Sequence, residues 1–180
     1  MVAATRLIAT VPASVTVGVL ATVTMDVAMV AAAMIDPDRF ADDRLGPSTI
    51  GRWVASCCRG GWRCDDITRE PAVRGEAAIG MVTHYATGLS LTWTYLVFLR
   101  LCGRRSSLPK ATAYGVATGL LPLLIMYPAW GYGAFGRRDA NAARLARAML
   151  LGHTVFGAGI GLWTTVLGRD AGVFERPDTR

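Results

Sequence analysis

Four long apolar stretches constrain this chain more than any other feature of its sequence. They cover residues 7–35, 77–99, 111–135 and 145–167, and polar residues are concentrated between them. A helix needs ~20 mostly apolar residues to cross a bilayer, because every backbone polar group must be satisfied within the segment. Hydrophobic residues make up 52% of the 180, and the mean hydropathy is +0.36. We therefore predict an all-α integral membrane protein, a four-helix bundle forming one domain over residues 1–180.

The first stretch also fits a signal peptide, with Arg6 as a basic flank and Ala31–Ala33 as a cleavage site. Its length and Asp26 favour a retained span. Lysine occurs once among the 19 basic residues, and this arginine-rich, alanine-rich composition is typical of a GC-rich bacterial genome. We expect a multi-pass protein of the bacterial cytoplasmic (inner) membrane.

The net charge of +6 does not indicate a nucleic-acid partner, because the arginines flank the apolar stretches. The expected partner is the lipid bilayer, and arginine at a membrane edge helps to set orientation. Eleven arginines lie on the side of the first and third loops, counting Arg147, against eight basic residues on the other side. This count favours the first and third loops inside, whereas the cluster from Arg100 to Lys110 favours the reverse.

Residues 36–75 form a highly charged but nearly neutral extramembrane loop of about 40 residues. A helix capped by Ser48 and ending at Arg59-Gly60-Gly61 is predicted within it. Trp53 in this helix and Trp62 after it suit either an interfacial helix or an ordinary folded loop. For the cysteines, free thiols and a Cys58–Cys64 disulfide both remain open; the four are Cys57, Cys58, Cys64 and Cys102.

Small and polar residues recur every four positions in the apolar stretches, which places them on one helix face. Because small residues allow close helix contact in a membrane, we expect these faces to point inward. The first stripe is Ser14, Gly18, Thr22 and Asp26, and the second is Gly80, His84, Gly88 and Thr92. The candidate packing residues are Gly18, Gly88, Gly115, Gly119, Gly157 and Gly161. Pro122 and Pro128 should kink the third helix.

The two histidines are the candidate functional residues, since ionisable groups at membrane depth are costly and usually have a partner. Counted from the long-loop side, Asp26, His84, Tyr127 and His153 each lie eight or nine residues deep, ~12–14 Å at 1.5 Å per residue. They are predicted to form one polar layer that shares a proton. Alternatively, these groups only fix helix register. The spacing also suggests a 2+2 repeat, with Asp26 matching Tyr127 and His84 matching His153.

Three functions fit this layer. The first is proton- or small-cation-linked transport, for which four spans are few, so that a homodimer is expected. The second is a haem- or metal-binding protein, with His84, His153 and Asp26 as candidate ligands. The third is a membrane scaffold or assembly subunit. An enzyme is less favoured, because the sequence lacks a G-x-S-x-G, HExxH or P-loop motif.

Several segments together resemble the bacterial membrane-protein family called domain of unknown function 2938. They are Asp26, Gly51-Arg52-Trp53, the loop segment 65–76, His84-Tyr-x-x-Gly88 and Gly152-His-x-x-Phe-Gly157. The resemblance extends from about Ser14 to Trp163. It implies a small integral membrane protein of about four spans, and it implies no activity, cofactor or catalytic residue.

Overall fold

The computed structural model describes residues 11–41 and 43–168, and these residues form helices joined by turns. The long helices are α1 (Val11–Ile35), α2 (Pro47–Cys58), α3 (Glu76–Leu101), α4 (Leu108–Leu121) and α5 (Ala142–Gly168). A π-helical turn, Pro122–Met126, and the short helix Tyr127–Ala129 extend α4. No strand occurs among the described residues, so the predicted all-α class is confirmed.

Three of these helices are long and apolar enough to cross a membrane: Ser14–Ile35, Leu108–Ala129 and Ala142–Gly168. The predicted span 77–99 is helical, but it is not one of the three. The hydroxyl groups, the histidine and the tyrosines of α3 lower its mean hydropathy. The predicted span 111–135 begins earlier, at Leu108, and ends at Ala129. Phe135 instead lies in a tight turn with a φ of 58°. Residues 7–10 of the first predicted span lie outside the described residues.

The surface of α1 has the arrangement expected for an apolar surrounding. Its exposed residues are mostly aliphatic, namely Val15, Val19, Val23, Val27 and Val30. Ser14 and Thr22 are instead buried against neighbouring helices. A helix on the surface of a soluble protein normally shows the opposite pattern, with polar residues outward. The i+4 stripe of small and polar residues therefore faces inward, as its spacing predicted.

The long helices are arranged so that α1 packs against α3 and α5, and α5 also packs against α4. The helices α3 and α4 contact each other sparsely, towards the turn that joins them. There the Tyr114 hydroxyl donates to the Leu91 carbonyl at 2.9 Å, and the Tyr95 and Tyr114 rings lie 5.0 Å apart. At the opposite end these two helices are connected through the long loop.

Glycines allow the helix backbones to approach closely. A Cβ on Gly115 in α4 would lie 2.7 Å from the Gly157 Cα in α5, closer than side chains tolerate. A Cβ on Gly88 in α3 would collide with the Thr22 hydroxyl in α1. Each of the six candidate packing glycines faces a neighbouring helix in this way. Close contact between the helix backbones increases van der Waals packing along these faces.

The third predicted span is interrupted where its sequence contains proline. Pro122 has no N–H to donate, and the backbone adopts a π-helical turn in which the Tyr127 N–H donates to the Pro122 carbonyl. The α-helix is therefore replaced by a π turn at the proline where a kink was predicted. Because this turn contains more residues than an α-helical turn, the residues after it are rotated relative to a straight helix.

Residues 36–75, which we call the cap, fold over one end of the bundle. The helix α2 begins at Pro47 with Gly46 as its N-cap, so the predicted Ser48 cap is wrong, whereas the predicted end at Arg59 is confirmed. Trp53 packs against Trp62 and against the fully buried Trp130, and its indole N–H donates to the Trp62 carbonyl at 2.9 Å. The cap contains a helix and is folded through these contacts, and its three cysteines, like Cys102, are free thiols.

The cap is attached to both sides of the bundle. On one side α2 crosses the start of α3 at Gly51 and Gly80, where a Cβ on either glycine would collide with backbone carbonyl oxygen. On the other side the Cys64 and Ile67 N–H groups donate to the Ala129 and Trp130 carbonyls at 2.9 and 3.1 Å. Ile67 is fully buried in a cluster that also contains Leu123, Tyr127, Trp130 and Leu145.

An ion pair supports the attachment to α3. The Arg52 guanidinium donates two hydrogen bonds, of 3.0 and 2.8 Å, to the Glu76 carboxylate, and the Val73 N–H donates a third at 3.0 Å. These hydrogen bonds, those from Arg52 foremost, lower the pKa of Glu76 from 4.5 to about 2. Glu76 therefore stays ionised in the folded protein under moderately acidic conditions.

We predict that Gly80→Ala weakens the attachment of the cap, because the added methyl group meets the Pro47 carbonyl oxygen. The expected loss is about 1–3 kcal/mol in the free energy of unfolding, measured by denaturation in detergent. Gly152→Ala is the matched control, since its nearest neighbours, the Met25 and Met29 sulfur atoms, lie at 3.6 Å. Equal losses in both variants would show that the crossing of α2 and α3 is not especially tight.

We also predict an acid-dependent release of the cap. Because the folded-state pKa of Glu76 is depressed, its stabilising contribution is complete above pH 4.5 and is lost as the pH falls towards about 2. Tryptophan fluorescence should report this release, since Trp53 and Trp130 are in contact. Glu76→Gln should be less stable at neutral pH and should show a flatter dependence across this window. An unchanged pH dependence in that variant would contradict the role of the ion pair.

Candidate functional site

The structure brings Asp26 of α1 against two adjacent residues of α3. The Asp26 Oδ1 atom lies 2.9 Å from His84 Nε2, and the Tyr85 hydroxyl donates to Asp26 Oδ2 at 3.0 Å. Each oxygen of the carboxylate thus has its own partner. Together these three residues form the candidate site, which joins two helices through a titratable pair and a phenol.

The register of α1 and α3 explains why these residues meet. The two helices run in opposite directions and touch where Thr22 lies against Gly88. Asp26 is one helical turn after Thr22, and His84 is one turn before Gly88, so both lie on the same side of this contact. Without a side chain on Gly88 the helices come close enough for Asp26 and His84 to bond.

The candidate site is not sealed within the bundle. The side chain of His84 is 25% exposed and that of Asp26 is 37% exposed. The same groups are 58 positions apart in sequence, so their contact is a product of the fold. The Asp26–His84 pair is therefore held by hydrogen bonds and is also partly accessible from outside the protein.

His153 has a different set of partners on α4. Its Nδ1 atom lies 3.1 Å from the Thr118 hydroxyl, which also donates to the Gly115 carbonyl at 2.8 Å. When the single hydroxyl proton bonds the carbonyl, Nδ1 must carry the imidazole proton, which leaves Nε2 as an acceptor. The imidazole also lies against Gly119, whose added Cβ would be 3.1 Å from His153 Cβ.

Tyr127 lies in the buried cluster under the cap. Its hydroxyl donates to the Leu145 carbonyl at 3.1 Å, and its ring packs against Trp130 and Tyr132. Of the four residues predicted from the sequence, the structure therefore joins Asp26 and His84 directly, and places His153 and Tyr127 with other partners.

Sequence reasoning missed Tyr85 and Thr118. Tyr85 is adjacent to His84, about 100° around the helix, so a search for residues four apart did not include it. Thr118 was one of many membrane hydroxyls, most of which bond to a backbone carbonyl of their own helix. The position of Tyr85 next to His84 was the signal that could have identified it. No comparable signal marked Thr118.

Asp26, His84 and His153 were the candidate metal ligands. Of these three, the structure brings Asp26 and His84 into direct contact. Within residues 11–41 and 43–168, no set of three or more His, Cys, Asp or Glu side chains comes together in a way that could hold a metal ion. The thioethers of Met25 and Met29 instead face the helix α5 at Gly152. Methionine commonly serves to fill such irregular contacts.

Comparison with known proteins relates the chain to one family. A family model described as "Protein of unknown function (DUF2938)" matches residues 15–167. No curated protein and no solved structure matches the chain. The matched region contains the candidate site, the cap and His153, and it confirms the resemblance inferred from the sequence. The chain therefore belongs to the DUF2938 family.

Proposed function

We propose that this chain is an integral membrane protein whose Asp26–His84 pair takes part in proton- or small-cation-linked transport. The observation that carries the proposal is the Asp26 carboxylate itself, bonded to His84 and Tyr85 in a helix whose outer surface is valine-rich. We place the protein in the cytoplasmic membrane of a bacterium, with α1, α3, α4 and α5 as four spans. A homodimer and the 2+2 repeat remain parts of this proposal.

The polar composition of α3 is compatible with a fourth span. Its hydroxyls at positions 83, 87, 90 and 94 each donate to the carbonyl four residues earlier, at 2.8–2.9 Å. Hydroxyls satisfied within their own helix leave no unpaired donor in lipid. At 26 residues α3 is also long enough to cross the hydrocarbon layer.

The chemistry of the pair supports proton exchange. When His84 is neutral and carries its proton on Nε2, it donates to the Asp26 carboxylate, and one further proton on the imidazole produces an ion pair across the same hydrogen bond. In more acidic conditions the carboxylate itself takes up a proton. The pair can therefore gain and lose a proton without a change of partner. Tyr85 donates to the second oxygen in either state. A small cation could take the place of the proton on the carboxylate, since carboxylate oxygen suits hard cations.

The alternatives make different demands on the same residues. Axial ligation of haem would need a free nitrogen on each histidine facing a common gap, whereas the structure brings His84 Nε2 into direct contact with the Asp26 carboxylate at 2.9 Å. This contact favours proton sharing as the primary proposal. A scaffold would rely on the glycine contacts, with the Asp26–His84 pair only fixing helix register. Replacement of titratable groups by polar groups of similar shape separates these functions.

We predict that Asp26→Asn and His84→Gln abolish proton movement across a membrane. The purified protein would be reconstituted in phosphatidylcholine vesicles containing a pH-sensitive dye, and a potassium diffusion potential would draw protons inward. Wild type should acidify the lumen faster than protein-free vesicles, and both variants should fall to that background rate. Asp38→Asn, which removes an exposed carboxylate of the cap, is the matched control and should retain the wild-type rate.

Infrared difference spectra of the same samples provide an independent measurement. Acidification should produce a carboxylic-acid C=O band in the wild type that is missing in Asp26→Asn. If the wild-type protein acidifies the lumen no faster than protein-free vesicles do, proton transport is ruled out. If the Asp26 carboxylic-acid band nevertheless appears on acidification, the pair binds protons without transporting them. Flux that persists in Asp26→Asn would remove this site from the transport path.

We further predict that Cys58 and Cys102 lie on opposite sides of the membrane, because α3 runs between them. Both thiols are exposed. Variants that retain one of these cysteines, with the others changed to serine, would be labelled by an impermeant maleimide in intact cells and in inverted vesicles. Reaction from opposite sides supports four spans. Reaction of both from the same side would show that α3 does not cross.

A further inference from the structure

The turn between α3 and α4, residues 100–110, carries a compact group of cations, and we call it the basic turn. Arg104, Arg105 and Lys110 are exposed, and Arg100 is half-buried at the end of α3. The cations lie at the end of the bundle opposite the cap. Like charges are seldom gathered so closely unless a counter-charge is present.

The described residues supply little counter-charge to these cations. Residues 77–138 contain no aspartate or glutamate. Within residues 11–41 and 43–168 none of the four cations has an ion pair, and Lys110 Nζ donates instead to the Arg105 carbonyl at 3.3 Å. Near the cap, by contrast, carboxylates pair with arginines; these pairs are Arg39–Asp36, Arg44–Asp139, Arg52–Glu76 and Arg69–Asp66.

The basic turn is held in a fixed shape. Gly103 adopts a φ of 61°, and the Arg104 N–H donates to the Leu99 carbonyl at 2.8 Å, which closes the end of α3. Ser106 then ties the turn to two helices, through the Tyr95 hydroxyl at 3.2 Å and the Thr164 hydroxyl at 3.0 Å. The cations are therefore presented together by an ordered segment.

The residues beside the cations are apolar and exposed. Phe98 is 61% exposed, Leu101 75% and Leu108 53%. A surface that passes from exposed apolar side chains to unpaired cations over one helical turn matches the boundary between acyl chains and headgroups. An acidic protein or a nucleic acid would satisfy the cations but leave this apolar border uncovered.

We propose that the basic turn binds the phosphate of an anionic phospholipid headgroup, with the exposed apolar residues against its acyl chains. This inference rests on the membrane location in the proposed function, but it does not depend on transport. Arginine donates to phosphate in a planar, bidentate manner, and lysine adds a point charge. Arg104, Arg105 and Lys110 are the expected principal contacts.

The test is a titration of detergent-solubilised, full-length protein with phosphatidylglycerol that carries a fluorophore on one acyl chain. Wild type should bind it more tightly than the equally labelled phosphatidylcholine. The variant R104Q/R105Q/K110Q should bind phosphatidylglycerol roughly 100-fold more weakly, because each of the three cations contributes about fivefold near an anionic surface. The control R59Q/R63Q/R74Q removes three exposed arginines of the cap and should bind as wild type does.

Three results would overturn the proposal: equal affinity for the two lipids, equal losses in the two triple variants, or unaltered binding in R104Q/R105Q/K110Q. Competition by inorganic phosphate beyond that of sodium chloride at equal ionic strength would indicate a free-phosphate site instead. Circular dichroism of each variant verifies that the helices persist. If the protein binds phosphatidylglycerol selectively but moves no protons, the transport proposal fails and the lipid site stands. If Cys58 and Cys102 are labelled from the same side, the four-span arrangement fails.

Discussion

The contact between Thr22 and Gly88 fixes the geometry on which the candidate site depends. A side chain at Gly88 would collide with the threonine hydroxyl, so α1 and α3 can approach this closely only because that position is glycine. One turn away, the approach places Asp26 and His84 at 2.9 Å. A modest increase in helix separation would break this hydrogen bond, because hydrogen-bond strength falls steeply with distance and misalignment. Backbone packing therefore determines whether Asp26 and His84 form this hydrogen bond.

The cap completes a bundle that its long helices leave partly open. The helices α3 and α4 meet near the basic turn, where Tyr114 bonds to Leu91. At the other end the cap connects them, because α2 packs on α3 at Gly80 while Ile67 is buried beside α4 and α5. His84 lies two helical turns from Glu76, where the cap is bonded. The position of α3 at the candidate site thus depends on contacts made outside the apolar part of the bundle.

Helix periodicity predicted much of this architecture. The i+4 stripe of α1 identified its buried face, because side-chain direction in a regular helix depends only on the 3.6-residue repeat. Periodicity does not specify which neighbour a face meets, and so the Thr118 partner of His153 was missed. Tyr127 was counted along a straight helix, but the π turn at Pro122 and the helix end at Ala129 place it under the cap. The hydroxyls at positions 83, 87, 90 and 94 likewise lower the hydropathy of α3, although each donates to a carbonyl of its own helix.

A purely structural role accounts poorly for the choice of residues at the candidate site. The register of α1 against α3 is already fixed by Thr22 and Gly88 one turn away, where the contact is made without ionisable groups. Two titratable side chains and a phenol are more polar than register requires, and such groups are expensive in apolar surroundings. A neutral amide could make one hydrogen bond to His84, but only a carboxylate accepts from both His84 and Tyr85 and also takes up a proton. In the proposed transport function, the property that distinguishes Asp26 from a packing residue is therefore its ability to change charge.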